Sequence, residues 1–140
     1  DHFKQINDTY GHLSGDHVIK SIASLLRRSF RRSDVLGRYG GEEFVVIMQD
    51  TQLADAVIVL DKVRQEFSQI RHRSESDGRL FTTTFSAGIS SFPMFKSADE
   101  LQVNADRALY EAKDSGRNRV MIANPRDDDA TADQGVGSEN

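Results

Sequence analysis

Two neighbouring carboxylates lie near the middle of the chain, directly after two glycines. Glu42 and Glu43 follow Gly40 and Gly41 and precede the apolar run Phe44-Val45-Val46-Ile47-Met48. Adjacent carboxylates repel each other unless a cation or a proton donor meets them, and hard divalent cations prefer such oxygen ligands. The alternative is a solvent-exposed acidic turn whose charges only keep the protein soluble.

The residues around these carboxylates predict a tight hairpin. Residues 35–39 and 44–48 are strand-like, and a two-residue Gly-Gly connection would need positive φ at both positions, which glycine tolerates. The same glycines would leave room for another molecule close to the backbone.

Three long helices are predicted from apolar residues spaced at three and four positions, over residues 17–30, 53–67 and 101–112. Each is preceded by residues that commonly start helices: Ser14, Gly15 and Asp16 for the first, Asp50 and Thr51 for the second, and the capping box of Ser97 and Glu100 for the third. Gly116 is the expected stop of the third helix.

Alternating apolar and small polar residues predict a strand over residues 81–89, and residues 119–123 predict a short final strand. Residues 69–79 are polar and predict a loop or the bend of a small hairpin. The resulting order predicts an α+β fold, with helices packed on a mostly antiparallel, ferredoxin-like sheet. A ferredoxin-like sheet normally opens with a strand that is missing here, so we expect unpaired backbone groups on its neighbours and a poorly stable fragment.

Composition and charge restrict the class of protein. The chain has 140 residues, which suits one domain, and no cysteine, which excludes disulfides and thiolate metal sites. Arg126 and five acidic residues give residues 124–140 the whole net charge of -4, so the body, residues 1–123, is neutral. A nucleic-acid-binding surface is therefore not expected. Residues 124–140 are predicted to be a disordered acidic tail.

The sequence also predicts the cellular location of the protein and whether the chain is part of a longer one. No stretch of membrane-spanning length and no signal-peptide pattern is present, so we expect a cytoplasmic domain whose parent could be attached to a membrane through an upstream domain. Because the chain opens at Asp1 without a methionine, we expect it to be a fragment of a longer protein.

Further motifs lie along the chain on both sides of the glycine turn. They are DHFKQINDTYGH at residues 1–12, GD at 15–16, RYGGEEF at 38–44, ADRALYEAK at 105–113 and GRN at 116–118. Together they resemble the GGDEF-domain diguanylate cyclases over residues 1–123, with glutamate as an accepted variant at the third motif position. The resemblance implies the C-terminal part of such a domain, without its first helix and first strand, on a fold akin to the palm of nucleotide cyclases.

This resemblance implies an enzyme that condenses two GTP molecules into cyclic di-GMP and pyrophosphate, as a homodimer and with Mg²⁺ or Mn²⁺. Glu42 and Glu43 match the catalytic, metal-binding carboxylates. The family's first metal-binding aspartate would lie two residues before Asp1, which itself matches the second acidic position of that segment. The fragment alone is therefore expected to be inactive.

The resemblance also implies a substrate site. Asn7 and Asp16 match the pair that reads guanine, and Asp16 could also cap a helix, since the two roles do not exclude each other. Phe3 and Lys4 match a phosphate-contacting turn, and Gly40 and Gly41 would leave room for GTP. Lys113 and Arg117 match cations that hold the terminal phosphates, although basic residues are also favoured near any helix C-terminus.

An inhibitory site that binds the product is implied by Arg31 and Asp34, which form an R-x-x-D motif. A basic helix end is the alternative for Arg31 and its neighbouring arginines. Lys62 stands where the family often has another arginine, and it keeps the charge but loses the bidentate fork.

Two other functions remain open at this point. The chain could be a catalytically inactive module that senses GTP or cyclic di-GMP, or an unrelated small α+β domain that uses none of these residues.

Overall fold

The computed structural model describes residues 1–125, which form four helices and six strands. The elements are α1 (Phe3–Tyr10), α2 (His12–Ser29), β1 (Val35–Arg38), β2 (Phe44–Ile47), α3 (Leu53–Gln69), β3 (His72–Arg73), β4 (Leu80–Phe81), β5 (Ala87–Ile89), α4 (Ala98–Asp114) and β6 (Val120–Ile122). The predicted α+β class is confirmed. The predicted acidic tail lies outside the described residues, apart from residues 124 and 125. No helix among residues 1–125 is both long and apolar enough to cross a membrane.

A short helix, α1, precedes the first predicted helix. Phe3, Ile6 and Tyr10 repeat at helical spacing, and Ile6 is buried against α2. Gly11, with φ of 94°, separates the two helices because a left-handed residue interrupts the helical ladder. The predicted element order was therefore wrong at its start.

The start signals of two predicted helices were also wrong. Ser14, Gly15 and Asp16 lie inside α2, which begins directly after Gly11. The cap of α3 is Gln52, without a side-chain cap bond, because the Thr51 hydroxyl instead bonds the Gln49 carbonyl at 2.8 Å.

The signals at the two ends of α4 are confirmed. The Ser97 hydroxyl accepts the Glu100 amide at 3.1 Å, as in a capping box. At the other end Gly116 has φ of 116°, and the Arg117 amide donates to the Ala112 carbonyl at 3.0 Å. This pattern is typical of a glycine-terminated helix.

The strands form three separate pairs instead of one continuous sheet. β1 pairs with β2 and β3 with β4 in antiparallel fashion, while β5 and β6 are parallel because α4 connects them. Of the predicted strand 81–89, only its two ends are strands. Among the described residues, 82–86 have no strand paired with them; the Asp1 amino group donates to the Thr84 carbonyl at 2.7 Å, but one residue cannot form a strand ladder.

Two clusters of buried residues hold these elements together. The larger joins α1, α2, α3 and β4 through Ile6, Leu25, Val63, Phe67 and Phe81. The smaller lies beneath α4 and includes Phe95, Ala108 and Ala123. The elements that carry the predicted site residues therefore rest on two different parts of the core.

One buried histidine makes the larger cluster sensitive to pH. His72 is 6% exposed, its ring lies 5.4 Å from that of Phe81 and 5.7 Å from that of Phe67, and its Nε2 has no hydrogen-bond partner. Burial therefore holds the pKa of His72 below its ordinary value of 6.5.

We expect the free energy of unfolding to fall as the pH drops below 6.5, the ordinary pKa of histidine. Below this pH the unfolded chain binds a proton at His72, whereas the folded chain does not. The free energy of unfolding therefore falls by at most about 1.4 kcal/mol per pH unit, until the pH reaches the pKa of folded His72. Urea unfolding at pH 7.5 and pH 5.5 measures the loss, which His72→Leu should reduce and exposed His12→Gln should leave in place. An equal pH dependence in His72→Leu and the unchanged chain would contradict the prediction.

Candidate functional site

The glycine turn is a three-residue connection. The Tyr39 amide donates to the Glu43 carbonyl at 2.7 Å and extends the β1–β2 register, so Gly40, Gly41 and Glu42 form the turn. Only Gly40 has positive φ, at 80°. The predicted two-residue Gly-Gly turn was wrong. Because Tyr39 pairs with Glu43, the turn has three residues, and Glu42 is one of them.

Arg38 fixes the shape of this turn, a role that the sequence did not reveal. Its Nε donates to the Gly41 carbonyl at 3.0 Å, and its Nη2 contacts the same oxygen. Glu42 and Glu43 are both exposed at the tip, and open space surrounds Gly40 and Gly41. Both carboxylates are therefore accessible to a cation or a ligand.

Asp1 joins distant parts of the chain. Its carboxylate accepts hydrogen bonds from the hydroxyls of Thr84 at 2.7 Å and Ser86 at 2.8 Å, and from the Asn118 amide at 3.1 Å. These contacts link the start of α1, the segment before β5 and the loop after α4.

The contacts of Asp1 show which predicted site residues come together. Glu42 lines the same cleft as Asp1, and the backbone amide of Asn118, the residue after Arg117, donates to the Asp1 carboxylate. Lys113 lies in the last turn of α4, which leads to this segment. One carboxylate of the glycine turn and the segment that carries Arg117 thus meet at Asp1, although they are far apart in sequence.

A small cleft of about 50 Å³ opens beside this point, and Asp1, Phe3 and Glu42 are among its lining residues. Phe3 and the exposed Lys4 lie in the first turn of α1, where backbone amides have no partner within the helix. The structure therefore brings Phe3 near Glu42, as the predicted substrate site requires.

Asn7 lies against the backbone that carries Asp16. A Cβ atom added at Gly15 would lie 1.9 Å from Asn7 Oδ1, so Gly15 is what lets this side chain approach α2. Asp16 is exposed at the fifth position of α2, and its alternative role as a helix cap is wrong. The structure thus places Asn7 against Gly15, the residue before Asp16, and the role of the two in reading guanine stays a prediction.

We expect Gly15→Ala to weaken guanine-nucleotide binding about tenfold, because the new methyl group must displace the Asn7 amide. Calorimetry with GMP would measure the change. Ala23→Ser, a small change elsewhere on α2, serves as control, and unchanged binding by Gly15→Ala would contradict a role of Asn7 in guanine recognition.

Arg31 and Asp34 contact each other, as an R-x-x-D site requires. The Arg31 amide donates to Asp34 Oδ2 at 2.9 Å, while its guanidinium lies 3.6 Å from Oδ1 and donates to the Gln49 carbonyl and the Thr51 hydroxyl at 2.8 and 2.6 Å. The Asp34 side chain is 4% exposed, and its Oδ1 has no hydrogen-bond partner.

Two further features bear on the inhibitory site. Arg31 lies two residues beyond the end of α2 at Ser29, and the last turn of this helix carries Arg27 and Arg28. Lys62 is exposed on α3, and among residues 1–125 no hydrogen bond or ion pair joins it to Arg31 or Asp34.

The described part of the chain contains no group of three or more His, Cys, Asp or Glu side chains arranged to hold a metal ion. Glu42 and Glu43 are two carboxylates, and Mg²⁺ accepts carboxylate oxygens as ligands. Mg²⁺ sites commonly combine one or two carboxylates with substrate phosphates. The metal role of these residues stays a prediction.

Comparison with known proteins agrees with this arrangement. The family described as "Diguanylate cyclase, GGDEF domain" matches residues 1–119. Diguanylate cyclase A of Treponema denticola is 40% identical over 124 residues, covering 88% of this chain and 33% of that protein. The response regulator PleD of Caulobacter vibrioides is 42% identical over 122 residues, covering 86% of this chain and 27% of PleD. The chain thus spans a third or less of these relatives.

Solved structures are also similar. The GGDEF domain of DgcB from Caulobacter crescentus, in complex with c-di-GMP, has a TM-score of 0.83 at 36% identity and is matched over 88% of this chain and 72% of that one. The active GGEEF domain of a diguanylate cyclase from Vibrio cholerae has a TM-score of 0.77 at 31% identity, over 90% of this chain and 79% of that one. With its motifs, fold and relatives in agreement, the chain belongs to the GGDEF-domain family of diguanylate cyclases.

Proposed function

We propose that this chain is part of a diguanylate cyclase that condenses two GTP molecules into one cyclic di-GMP and two pyrophosphates. The observation that carries the proposal is the cleft lined by Asp1, Phe3 and Glu42, at which the Asp1 carboxylate also accepts the backbone amide of Asn118, the residue after Arg117. A carboxylate that can hold a cation thus lies near the first turn of α1 and near the segment that carries Arg117. We further propose that the strands belong to the ferredoxin-like palm sheet of nucleotide cyclases.

Each substrate residue has a distinct task in this proposal. Asp16 can accept the N1 and amino hydrogens of guanine, which adenine does not offer, and Asn7 lies against the preceding residue, Gly15. Lys113 and Arg117 would hold the terminal phosphates, while the amides of the first turn of α1, near Phe3 and Lys4, favour anions. Glycines at the turn leave room for the nucleotide.

Mg²⁺ or Mn²⁺ fits the donor set, with Glu42 and Glu43 as the protein ligands and phosphate oxygens as further ones. When bound, such a cation lowers the pKa of the ribose hydroxyl and offsets charge on the phosphate. The chain itself holds the guanine and the terminal phosphates, so the position of the α-phosphate is fixed from both sides.

A homodimer completes the reaction in this proposal. Each domain would bind one GTP, and two domains facing each other would bring each 3′-hydroxyl to the α-phosphate of the other GTP. This orientation supplies much of the rate enhancement. Cyclic di-GMP would then act as product and, through Arg31, Asp34 and Lys62, as an inhibitor.

The second candidate function is a binding module that senses GTP or cyclic di-GMP without turnover. It is favoured by the contact between Arg31 and Asp34, because a guanidinium beside a carboxylate can bind the phosphate and the guanine edge of cyclic di-GMP without any turnover.

Incubation of the full-length protein with GTP and Mg²⁺, followed by chromatography of the nucleotides, tests the proposal. We expect cyclic di-GMP and pyrophosphate, at a rate per protein that rises with concentration as dimers form. No product at any concentration, together with tight binding of cyclic di-GMP that Arg31→Ala abolishes, would favour the binding module instead.

A further inference from the structure

Three consecutive residues after α4 have left-handed backbone conformations. The φ angles of Gly116, Arg117 and Asn118 are 116°, 62° and 49°. Glycine adopts such angles freely, but an arginine does so at a cost, and strained residues persist only where their surroundings hold them. Arg117 is the cation that the proposed function assigns to the terminal phosphates, so its unusual backbone needs an explanation.

The polar groups of this segment are held from several directions. The Asn118 amide donates to Asp1 Oδ2 and to the Ser86 hydroxyl, both at 3.1 Å, and Arg119 Nε donates to the Arg117 carbonyl at 3.0 Å. The most distant partner is Arg64 of α3. Its Nη1 donates to Asn118 Oδ1 at 2.8 Å and to the Asn118 carbonyl at 3.3 Å.

Arg64 is itself fixed in place. Its side chain is 17% exposed, and its Nε donates to Asp61 Oδ1 at 2.7 Å. The other oxygen of Asp61 accepts from Gln65 at 2.9 Å. The hydrogen bond from Arg64 is also the main reason why the pKa of Asp61 lies below its ordinary value. With Nε on Asp61 and Nη1 on Asn118, the planar guanidinium has a single orientation.

We propose that Arg64 is a positioning residue of the phosphate site. By holding both oxygens of Asn118, it fixes the left-handed backbone that carries Arg117 and so directs the Arg117 side chain towards the terminal phosphates. The inference rests on the proposed function, because it assumes that Arg117 binds phosphate. Arg64 itself acts only through Asn118.

Calorimetry of the full-length protein with two nucleotides separates this role from a general structural one. The probes are GMP, which lacks the terminal phosphates, and 3′-deoxy-GTP, which has them but lacks the hydroxyl that would react. We expect Arg64→Gln to raise the dissociation constant of 3′-deoxy-GTP about tenfold, the lower end of what supporting residues contribute. The dissociation constant of GMP should stay within about twofold, since Asn7 and Asp16 are untouched.

Arg79→Gln is the matched control, because Arg79 Nε makes a similar ion pair with Asp77 at 2.5 Å on the β3–β4 hairpin, away from residues 116–118. Asn118→Gly is the second variant. It accepts the left-handed backbone but removes the side-chain oxygen that Arg64 holds, so it should show the same selective loss even if Arg64→Gln fails to fold.

The outcomes separate the two proposals. Equal weakening of both nucleotides in Arg64→Gln and Asn118→Gly, or unchanged binding of both, would overturn the inference while the proposed function stands. An unchanged chain that binds neither nucleotide, or binds 3′-deoxy-GTP no more tightly than GMP, would overturn the proposed phosphate site and the role of Arg64 with it.

Discussion

Replacing Glu42 with glutamine should lower cyclic di-GMP formation by the full-length protein about 10²- to 10³-fold, the loss that follows removal of one electrostatic contact to a reacting group. The amide keeps the size of the carboxylate but removes the charge that would bind a divalent cation. Because Glu42 is exposed in the turn, the free energy of unfolding should stay within about 0.5 kcal/mol of the original value. Initial rates with GTP and Mg²⁺, and urea unfolding of the same samples, measure the two quantities.

Glu66→Gln provides the matched control, since it makes the same chemical change at an exposed position of α3. Its rate should equal that of the unchanged protein. If Glu42→Gln turned over GTP at the rate of this control, the carboxylate would have no part in the reaction, and the acidic turn would serve only solubility.

The residues of this site were predicted from the sequence because they stand in motifs, but their meeting point was not. Glu42 and the segment that carries Arg117 meet at Asp1, whose hydrogen-bond partners Thr84 and Asn118 lie 83 and 117 positions away. Contacts at such separations depend on how the elements pack, and no local pattern of residue types encodes them.

The residues that support the site were missed for a related reason. Arg38 lies inside a motif, but the sequence assigned it no role, and Arg64 belongs to an ordinary helical pattern. The sequence therefore did not predict the hydrogen bond of Arg38 to Gly41 or that of Arg64 to Asn118. Gly15 did carry a signal. A glycine within a helical pattern often marks a close approach, and here the approach is that of Asn7.

The success of the fold prediction followed the strength of local periodicity. α3 and α4 have long apolar repeats and were predicted well, whereas the eight residues of α1 gave too short a pattern. The strand predicted over residues 81–89 has the right alternation, yet residues 82–86 are not a strand, because strand structure needs a partner as well as a pattern.

The close packing of α4 on β5 gives the largest expected effect on stability. A Cβ atom added at Gly88 would lie 2.3 Å from the Ala105 carbonyl oxygen, 2.4 Å from the Leu109 nitrogen and 2.9 Å from the Ala108 carbonyl carbon. All three are backbone atoms, so no side chain can rotate away. We expect Gly88→Ala to lower the free energy of unfolding by about 3 kcal/mol or more, at the upper end of the cost of overpacking. Urea unfolding monitored by circular dichroism measures it.

Gly37→Ala is the control that separates this clash from any general effect of replacing a strand glycine. Gly37 lies in β1, and a Cβ atom there would meet nothing within 4 Å. Because glycine in a strand costs about 0.5–1 kcal/mol relative to alanine, Gly37→Ala should be neutral or slightly stabilising, opposite in sign to Gly88→Ala. If both variants changed stability alike, α4 could not lie as close to β5 as described. Since α4 also carries Lys113 and leads directly to Arg117, a helix displaced by Gly88→Ala should bind 3′-deoxy-GTP more weakly even where the protein remains folded.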